Sequence, residues 1–402
     1  MDPLAIRGLR VLNGVAISAL SGEGISASSD LRLWADRGRI PASADGAGFA
    51  TRFADDIGLL AESGIGALRY GLDWARIEPQ PGQFDGQAIE HVIRVVETAR
   101  SAGVQMWLGL QHDTVPGWFL DEGGFADDRF RSRVWPRYVD LMAEAFGDSV
   151  AGWFPLHDPT GFIAGGYRRG TRPPGRKDPE AAAKALRGVW LAWRDAWRLL
   201  RGGPPVATSV WLPEVHAADH TVQASKRTKG IDDRTWRASI AALRDGELDI
   251  PGLAVEEVPD LADSFDIVGF VWRGALTVRG LVEPGEMQHS PYPPDSRVDA
   301  VGNAPWNEGL ANVLHRLHEE LPGRAVMLAG ASIDTDDESW RTEVVDGVRT
   351  VCDEAVSDGI DVRGRFWWSF VDGYDHRSGF APRTGLFDRD RNARPALETW
   401  TR

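Results

Sequence analysis

Three short strings set an imidazole beside a carboxylate: His112-Asp113, His157-Asp158 and Asp375-His376. Histidine changes charge near neutral pH and carboxyl groups give or take protons, so such residues suit general acid–base work. Each string follows a run of apolar, β-branched or aromatic residues that reads as a strand. Adjacent residues at a strand end point to opposite sides, so His157 and Asp158 need not touch. Leu328-Ala329-Gly330 closes another such run and offers no ionisable group. Glu214 and His216 follow a fifth run without a motif around them.

Eight runs read as strands: Val11–Ala19, Ala67–Asp73, Gln105–Leu110, Ala151–Leu156, Pro205–Trp211, Asp266–Trp272, Ala325–Ala329 and Gly364–Ser369. Segments of helical period separate them, among them Phe49–Ser63, Gln87–Ala102, Arg129–Phe146, Pro179–Leu200, Asp233–Arg244, Glu308–Glu320 and Ser339–Val356. Glycine follows several helices, as at Gly64 and Gly103, where a left-handed cap is expected. The alternation predicts one (β/α)8 TIM barrel over residues 1–402, with chemistry carried on the loops after the strands. The segments Gly170–Lys177 and Leu281–Pro305 read as long loops over that face.

The chain has 402 residues, 43% hydrophobic and 26% charged, enough for a sizeable core. A net charge of −14 argues against nucleic acid or an anionic membrane as a general partner. Arg7 and Arg10 precede an apolar stretch that copies a secretory leader, but Asn13 and Gly14 interrupt it, so it reads as the first strand. No apolar run approaches the roughly 20 residues of a membrane span. The expected location is cytoplasmic. The single cysteine, Cys352, falls in a helical pattern and reads as a packed thiol. Seventeen tryptophans suit a core and also a cleft that stacks sugar rings.

The string Arg69-Tyr70-Gly71-Leu72-Asp73-Trp74-Ala75-Arg76-Ile77-Glu78-Pro79 resembles the R-x-S-x-x-W-x-R-I-x-P motif of glycoside hydrolase family 1, the β-glucosidase type of barrel. Leu110 to Pro116 is similar to its L-x-H-W-D-x-P, Trp153 to Pro159 to W-x-T-x-N-E-P, and Asp266 to Arg273 to D-x-x-G-x-N-Y-Y. Trp368 to His376 resembles W-S-x-x-D-N-x-E-W, followed by Arg383-Thr384-Gly385-Leu386. The similarity runs in order from about Val11 to Trp400.

Residues that match the family at functional positions are Arg69, His112 and Trp368. The departures fall at the rest. The acid/base glutamate becomes Asp158, and its neighbouring asparagine becomes His157. The nucleophile position falls at Ala329. Ser21 replaces a sugar-binding glutamine, although Glu23 and Gly24 remain. Asp375-His376 replaces a sugar-binding Glu-Trp pair, and Trp272-Arg273 stands for the Tyr-Tyr pair. A retaining glycosidase needs two carboxyl groups about 5–5.5 Å apart, and a methyl group cannot attack. An inverting route would take its base from Asp113 or Asp375, though either could instead cap a loop or pair with arginine. Asp334, Asp336 and Asp337 read as the solvated start of the next helix.

The resemblance sets Arg69 and Arg273 around a site that has lost its carboxylate. A ligand carboxylate, phosphate or sulfate would satisfy them, or Asp73, Asp113 or Asp375 would. It also brings His112, His157 and His376 together. With Asp113 or Asp158 they could in principle hold zinc or iron, but no local metal motif is present, so neither metal nor cofactor is expected. The expected function is action on a glycoside or other polyhydroxylated small molecule, neutral or anionic, by altered, non-retaining chemistry. Asp158 would be the acid/base, helped by His157, His112 or Asp113, with Arg69, Arg273, Ser21, Glu23, Trp272, Trp368, Asp375 and His376 binding the ligand. The alternatives are an inactive carbohydrate-binding pseudoenzyme and a non-hydrolytic lyase or isomerase on an anionic substrate. The sequence leaves the oligomeric state open.

Overall fold

The computed structural model describes residues 11–280 and 289–402. Arg7, Arg10 and the first part of the expected Leu281–Pro305 loop lie outside the described residues. Eight parallel strands form one curled sheet: β1 (Leu12–Ser18), β2 (Ala67–Gly71), β3 (Gln105–Gln111), β4 (Gly152–Leu156), β5 (Val210–Trp211), β6 (Ile267–Trp272), β7 (Ala325–Ala331) and β8 (Val362–Trp368). Neighbours follow the order β4-β3-β2-β1-β8-β7-β6-β5. Single bridges from Trp153 to Val206 and from Ala207 to Ile267 carry the sheet round towards closure. The chain is a (β/α)8 barrel, as its alternating pattern predicts.

The fifth strand is shorter than its run. Pro205 has no N–H to donate, and pairing before Val210 is reduced to the isolated bridges. Thr208 Oγ1 donates instead to the Gly269 carbonyl at 2.7 Å, tying this segment to β6.

Alternate side chains point into the barrel, where Ala67, Trp107, Phe154, Ala207, Ile267, Met327, Ala329 and Phe366 form a closed apolar layer. Large and small residues must alternate there. A Cβ on Gly152 would lie 2.2 Å from the Trp107 ring, so the tryptophan fills the space that glycine leaves.

Helices at Phe49–Glu62, Gly86–Ser101, Asp128–Phe146, Pro179–Leu200, Asn307–Glu320 and Glu338–Ser357 cover the outside and agree with the expected segments. The expected helix at 233–244 is the second half of a longer helical stretch, beginning at Val222 and running to Asp245 through two π turns. The segment 289–305 is not all loop. His289–Tyr292 pairs antiparallel with Ala275–Val278, which pairs in turn with Val215–Ala217. Tyr292 stacks on His216 with ring centroids 3.8 Å apart, and Trp306 meets both rings edge-on. That aromatic packing explains a small sheet where a Pro/Gly-rich composition predicts none. Glu214 lies 3.1 Å from His216 Nε2, which places both in this sheet's support.

Asp56 and Arg391 make a buried bidentate pair (2.8 and 2.7 Å), joining the first long helix to the C-terminal segment. Cys352 is buried, and burial pushes its thiol up to about 12, where it stays protonated and inert. Among the described residues no helix is long and apolar enough to cross a membrane.

Candidate active site

A cavity of about 330 Å³ opens at the C-terminal ends of the strands. Its wall takes residues from nearly every βα joint, as the barrel geometry requires. Of the residues expected from sequence, Ser21, Arg69, His112, Asp113, His157, Asp158, Trp272, Arg273, Trp368, Asp375 and His376 all line it.

Arg69 projects from β2 and is 2% exposed. Its Nη1 donates to His157 Nδ1 at 2.6 Å and approaches Ser209 Oγ at 3.4 Å. Nε and Nη2 have no hydrogen-bond partner among the described residues. Burial pulls the guanidinium down to about 9 and nearby Arg273 adds to this, while Asp113 opposes it. The group therefore remains a cation at neutral pH.

Arginine has only donors, so His157 Nδ1 must accept and the ring proton sits on Nε2. Burial, then Arg69, His112 and Arg273, hold His157 well below the usual imidazole range. The His112 ring lies 3.9 Å from that of His157, and Trp368 flanks it at 5.2 Å. Burial brings His112 down to about 4, with Asp113 opposing. A Cβ on Gly71 would come 2.4 Å from His112 Nδ1, so β2 must carry glycine where this ring lies over it. Burial and Arg172 likewise bring His376 to about 4. All three imidazoles are neutral bases at pH 7, in place of the near-neutral titration expected from unperturbed histidine.

Asp158 and Asp113 both adopt left-handed backbone, with φ of 40° and 53°. Aspartate tolerates this region better than most residues, and both sit where a strand turns sharply into its loop. Asp158 caps the helix Pro159–Ile163, accepting from Gly161 N at 3.0 Å and Thr160 Oγ1 at 3.1 Å. Its Oδ2 lies 3.0 Å from Arg273 Nη2. Arg273 is thus paired, and with none of the three aspartates the sequence suggests. Asp113 Oδ2 accepts from Ser18 Oγ at 2.6 Å. Burial would raise this carboxyl, but His112, Ser18, Arg172 and His376 together leave it lowered. Asp375 accepts from the Arg377 and Ser378 backbone and from Ser378 Oγ, which favours its ionised form.

Two expectations fail. Glu23 does not line the cavity. Its carboxylate accepts from Tyr70 Oη, lies 3.2 Å from His91 Nε2 and 3.8 Å from Arg76 Nε, and so braces the wall from behind. Ala329 is not at the mouth either. It is fully buried in the inner apolar layer, because β7 carries a register shift against β6 between Leu328 and Gly330. Gly330 lines the cavity instead, followed by Ala331, Ser332 and Asp334. A Cβ there would find only Arg69 Nη2 and Val271 Cγ1, each 3.9 Å away, and otherwise open space.

Other residues of the site escaped the sequence reading. Arg172, in the Gly170–Lys177 loop, is 8% exposed, lies over the Phe162 ring at 4.1 Å and lines the cavity with Nε and Nη2 unpartnered. Arg169 and Arg377 line it as well. The loop's basic character was the available signal. Asp334 is buried against the cavity and accepts from Arg383 N at 2.7 Å, whereas Asp337 does cap the following helix. Among the described residues no group of three or more His, Cys, Asp or Glu side chains is arranged to hold a metal ion.

Residues 41–239 match the family model described as Glycosyl hydrolase family 1. The coniferin beta-glucosidase of Pinus contorta is 25% identical over 399 residues, covering 84% of this chain and 77% of that protein. The human lactase/phlorizin hydrolase is 24% identical over 384 residues, covering 83% of this chain; the chain spans only 20% of that protein's length. Among solved structures, a beta-glycosidase from Pyrococcus horikoshii superposes with a TM-score of 0.89 at 24% identity, covering 97% of this chain and 93% of that one. A Thermotoga maritima beta-glucosidase in complex with deoxynojirimycin gives 0.87 at 18% identity, with 97% and 96% covered. At these identities the structural likeness concerns the fold.

Proposed function

Because the chain belongs to glycosyl hydrolase family 1, we propose that it acts on a glycoside or similar polyhydroxylated small molecule without forming a covalent sugar–enzyme bond at the end of β7. Gly330 carries this reading. It lines the cavity beside Arg69, in the site that the family resemblance leaves without its carboxylate, and it has no side chain. Ala329, one residue earlier, is buried in the barrel. Neither can attack an anomeric carbon.

The remaining acids supply the two roles of a route through water. Asp158 is the proton donor to the departing oxygen, and Asp113, ionised and held by Ser18, takes the proton from the attacking water. Such inversion needs carboxyl groups about 6.5–9.5 Å apart, leaving room for that water. The neutral imidazoles of His112 and His157 then serve as hydrogen-bonding walls, and Trp272 and Trp368 present faces for a sugar ring. An elimination or isomerisation would use the same groups.

One observation favours a second reading, a binding protein without turnover. Both oxygens of Asp158 are engaged as acceptors, by Arg273 and by the helix start it caps, and an acid must first protonate one of them. The deciding experiment follows the anomeric configuration of products by NMR across a panel of dinitrophenyl glycosides. Inverted or eliminated product supports the first reading. Ligand-induced stabilisation with no product supports the second, and retained configuration at enzymatic rates overturns both.

A further inference from the structure

We infer that the ligand of this cavity carries an anionic oxo group, a carboxylate, sulfate or phosphate, seated against Arg69 in the space beside Gly330. This rests on reading the cavity as a site for polyhydroxylated molecules and specifies their class.

A guanidinium this deeply buried, with Nε and Nη2 both lacking partners, is an expensive arrangement for a protein to hold empty. No ion pair joins Arg69 to any carboxylate among the described residues. Its hydrogen-bond partners, His157 Nδ1 and Ser209 Oγ, are both neutral. Arg273 is spoken for by Asp158. Asp113, the carboxylate Arg69 feels most, is turned towards Ser18 and His112.

The open space is in the right place. The Cβ position of Gly330 lies 3.9 Å from Arg69 Nη2 with nothing between. A forked contact from Nε and Nη2 to a two-oxygen edge suits planar carboxylates and tetrahedral oxyanions alike. A second buried guanidinium with free Nε and Nη2, Arg172, faces the same cavity from the loop above. Asp30, Asp113, Asp375 and Asp158 already offset the charge of Arg172, so Arg69 is the cation that an uncharged sugar would leave unmatched.

The test uses the full-length protein and calorimetric titration with glucose, glucuronate, glucose 6-phosphate and inorganic sulfate, at matched ionic strength. At least one anionic probe should bind about tenfold or more tightly than glucose, and which one identifies the oxo group. The variant Gly330→Glu, which places a carboxylate against Arg69, should erase that preference. Arg69→Met should erase it too, and the glycine variant keeps the test valid if Arg69→Met does not fold. Anions binding no better than glucose, or a preference unchanged in Gly330→Glu, would overturn the inference. Failure of every sugar to bind while sulfate still responds to Gly330→Glu would keep the anion seat and remove the polyhydroxylated-ligand reading instead.

Discussion

Arg69 donates from Nη1 to His157 Nδ1 across 2.6 Å, and a guanidinium has no acceptor with which to reciprocate. The contact fixes the imidazole as its Nε2–H tautomer, and burial, with the nearby cation second, keeps it neutral. Nitrogen NMR of histidine-labelled protein should show His157 Nδ1 unprotonated and Nε2 protonated, with its midpoint well below the ordinary imidazole range. Arg69→Met should release both constraints. A midpoint near the ordinary imidazole value in the unmodified protein would contradict the arrangement.

Acid should destabilise the protein well before its exposed carboxylates are neutralised. His112 and His376 are held near 4 in the folded chain and return towards 6.5 on unfolding. Below pH 6.5 the unfolded chain takes up protons that the folded chain refuses, so their contribution is intact above that pH and is lost down to about 4. Asp30, raised to about 6 by burial, works in the opposite sense and loses its contribution as pH rises through that value. Asp73, Asp266, Asp299 and Asp372, raised by burial, share the sense of Asp30, whereas His157 and the lowered carboxyls of Asp113 and Asp375 act with the two imidazoles. Thermal midpoints should fall between pH 7 and 4.5, with a shallower slope in His376→Gln. A flat profile in the unmodified protein would contradict the burial assigned to these rings.

Asp158 has two separable duties. Asp158→Asn keeps an oxygen for the Gly161 and Thr160 donors and should leave stability nearly unchanged. Asp158→Ala removes the cap and should cost about 1 kcal/mol in denaturant unfolding. If Asp158 is the acid, turnover of the native substrate should fall by roughly 10²–10⁴ in both variants. Equal turnover in Asp158→Asn would remove it from the chemistry and favour the binding reading.

The barrel could be read from the sequence because its signals are local. Eight apolar runs with glycine exits such as Gly64 and Gly103 give the strands and their order, and apolar spacing gives the helices. The site was legible wherever a motif anchored it, at Arg69, His112, Asp158 and Trp368. It failed where three-dimensional register decides. No local pattern announces the register shift that buries Ala329 and turns Gly330 to the cavity. Glu23 sits two residues past Ser21 on the same short helix, and Tyr70, His91 and Arg76 draw its carboxylate behind the wall. Arg172 belongs to a loop whose basic residues were the one signal of its role, and its burial depends on packing against Phe162.

Asp56 and Arg391 give a purely structural test. Asp56 is 1% exposed, and Arg391 meets both of its oxygens. Asp56→Ala leaves a buried guanidinium without its partner and should cost about 3–5 kcal/mol in chemical denaturation. Replacing both residues with apolar side chains of similar size should recover much of that loss. A change below about 1 kcal/mol for Asp56→Ala would show that the pair behaves as an exposed one.

Intact-mass measurement after incubation with a dinitrophenyl 2-deoxy-2-fluoroglycoside tests the central claim most directly, since this reagent traps any carboxylate that attacks the anomeric carbon. The mass of the unmodified protein should not change, while the Gly330→Glu variant, with its carboxylate set against Arg69, should gain one fluorosugar. A fluorosugar esterified to a carboxylate of the unmodified protein would contradict the account.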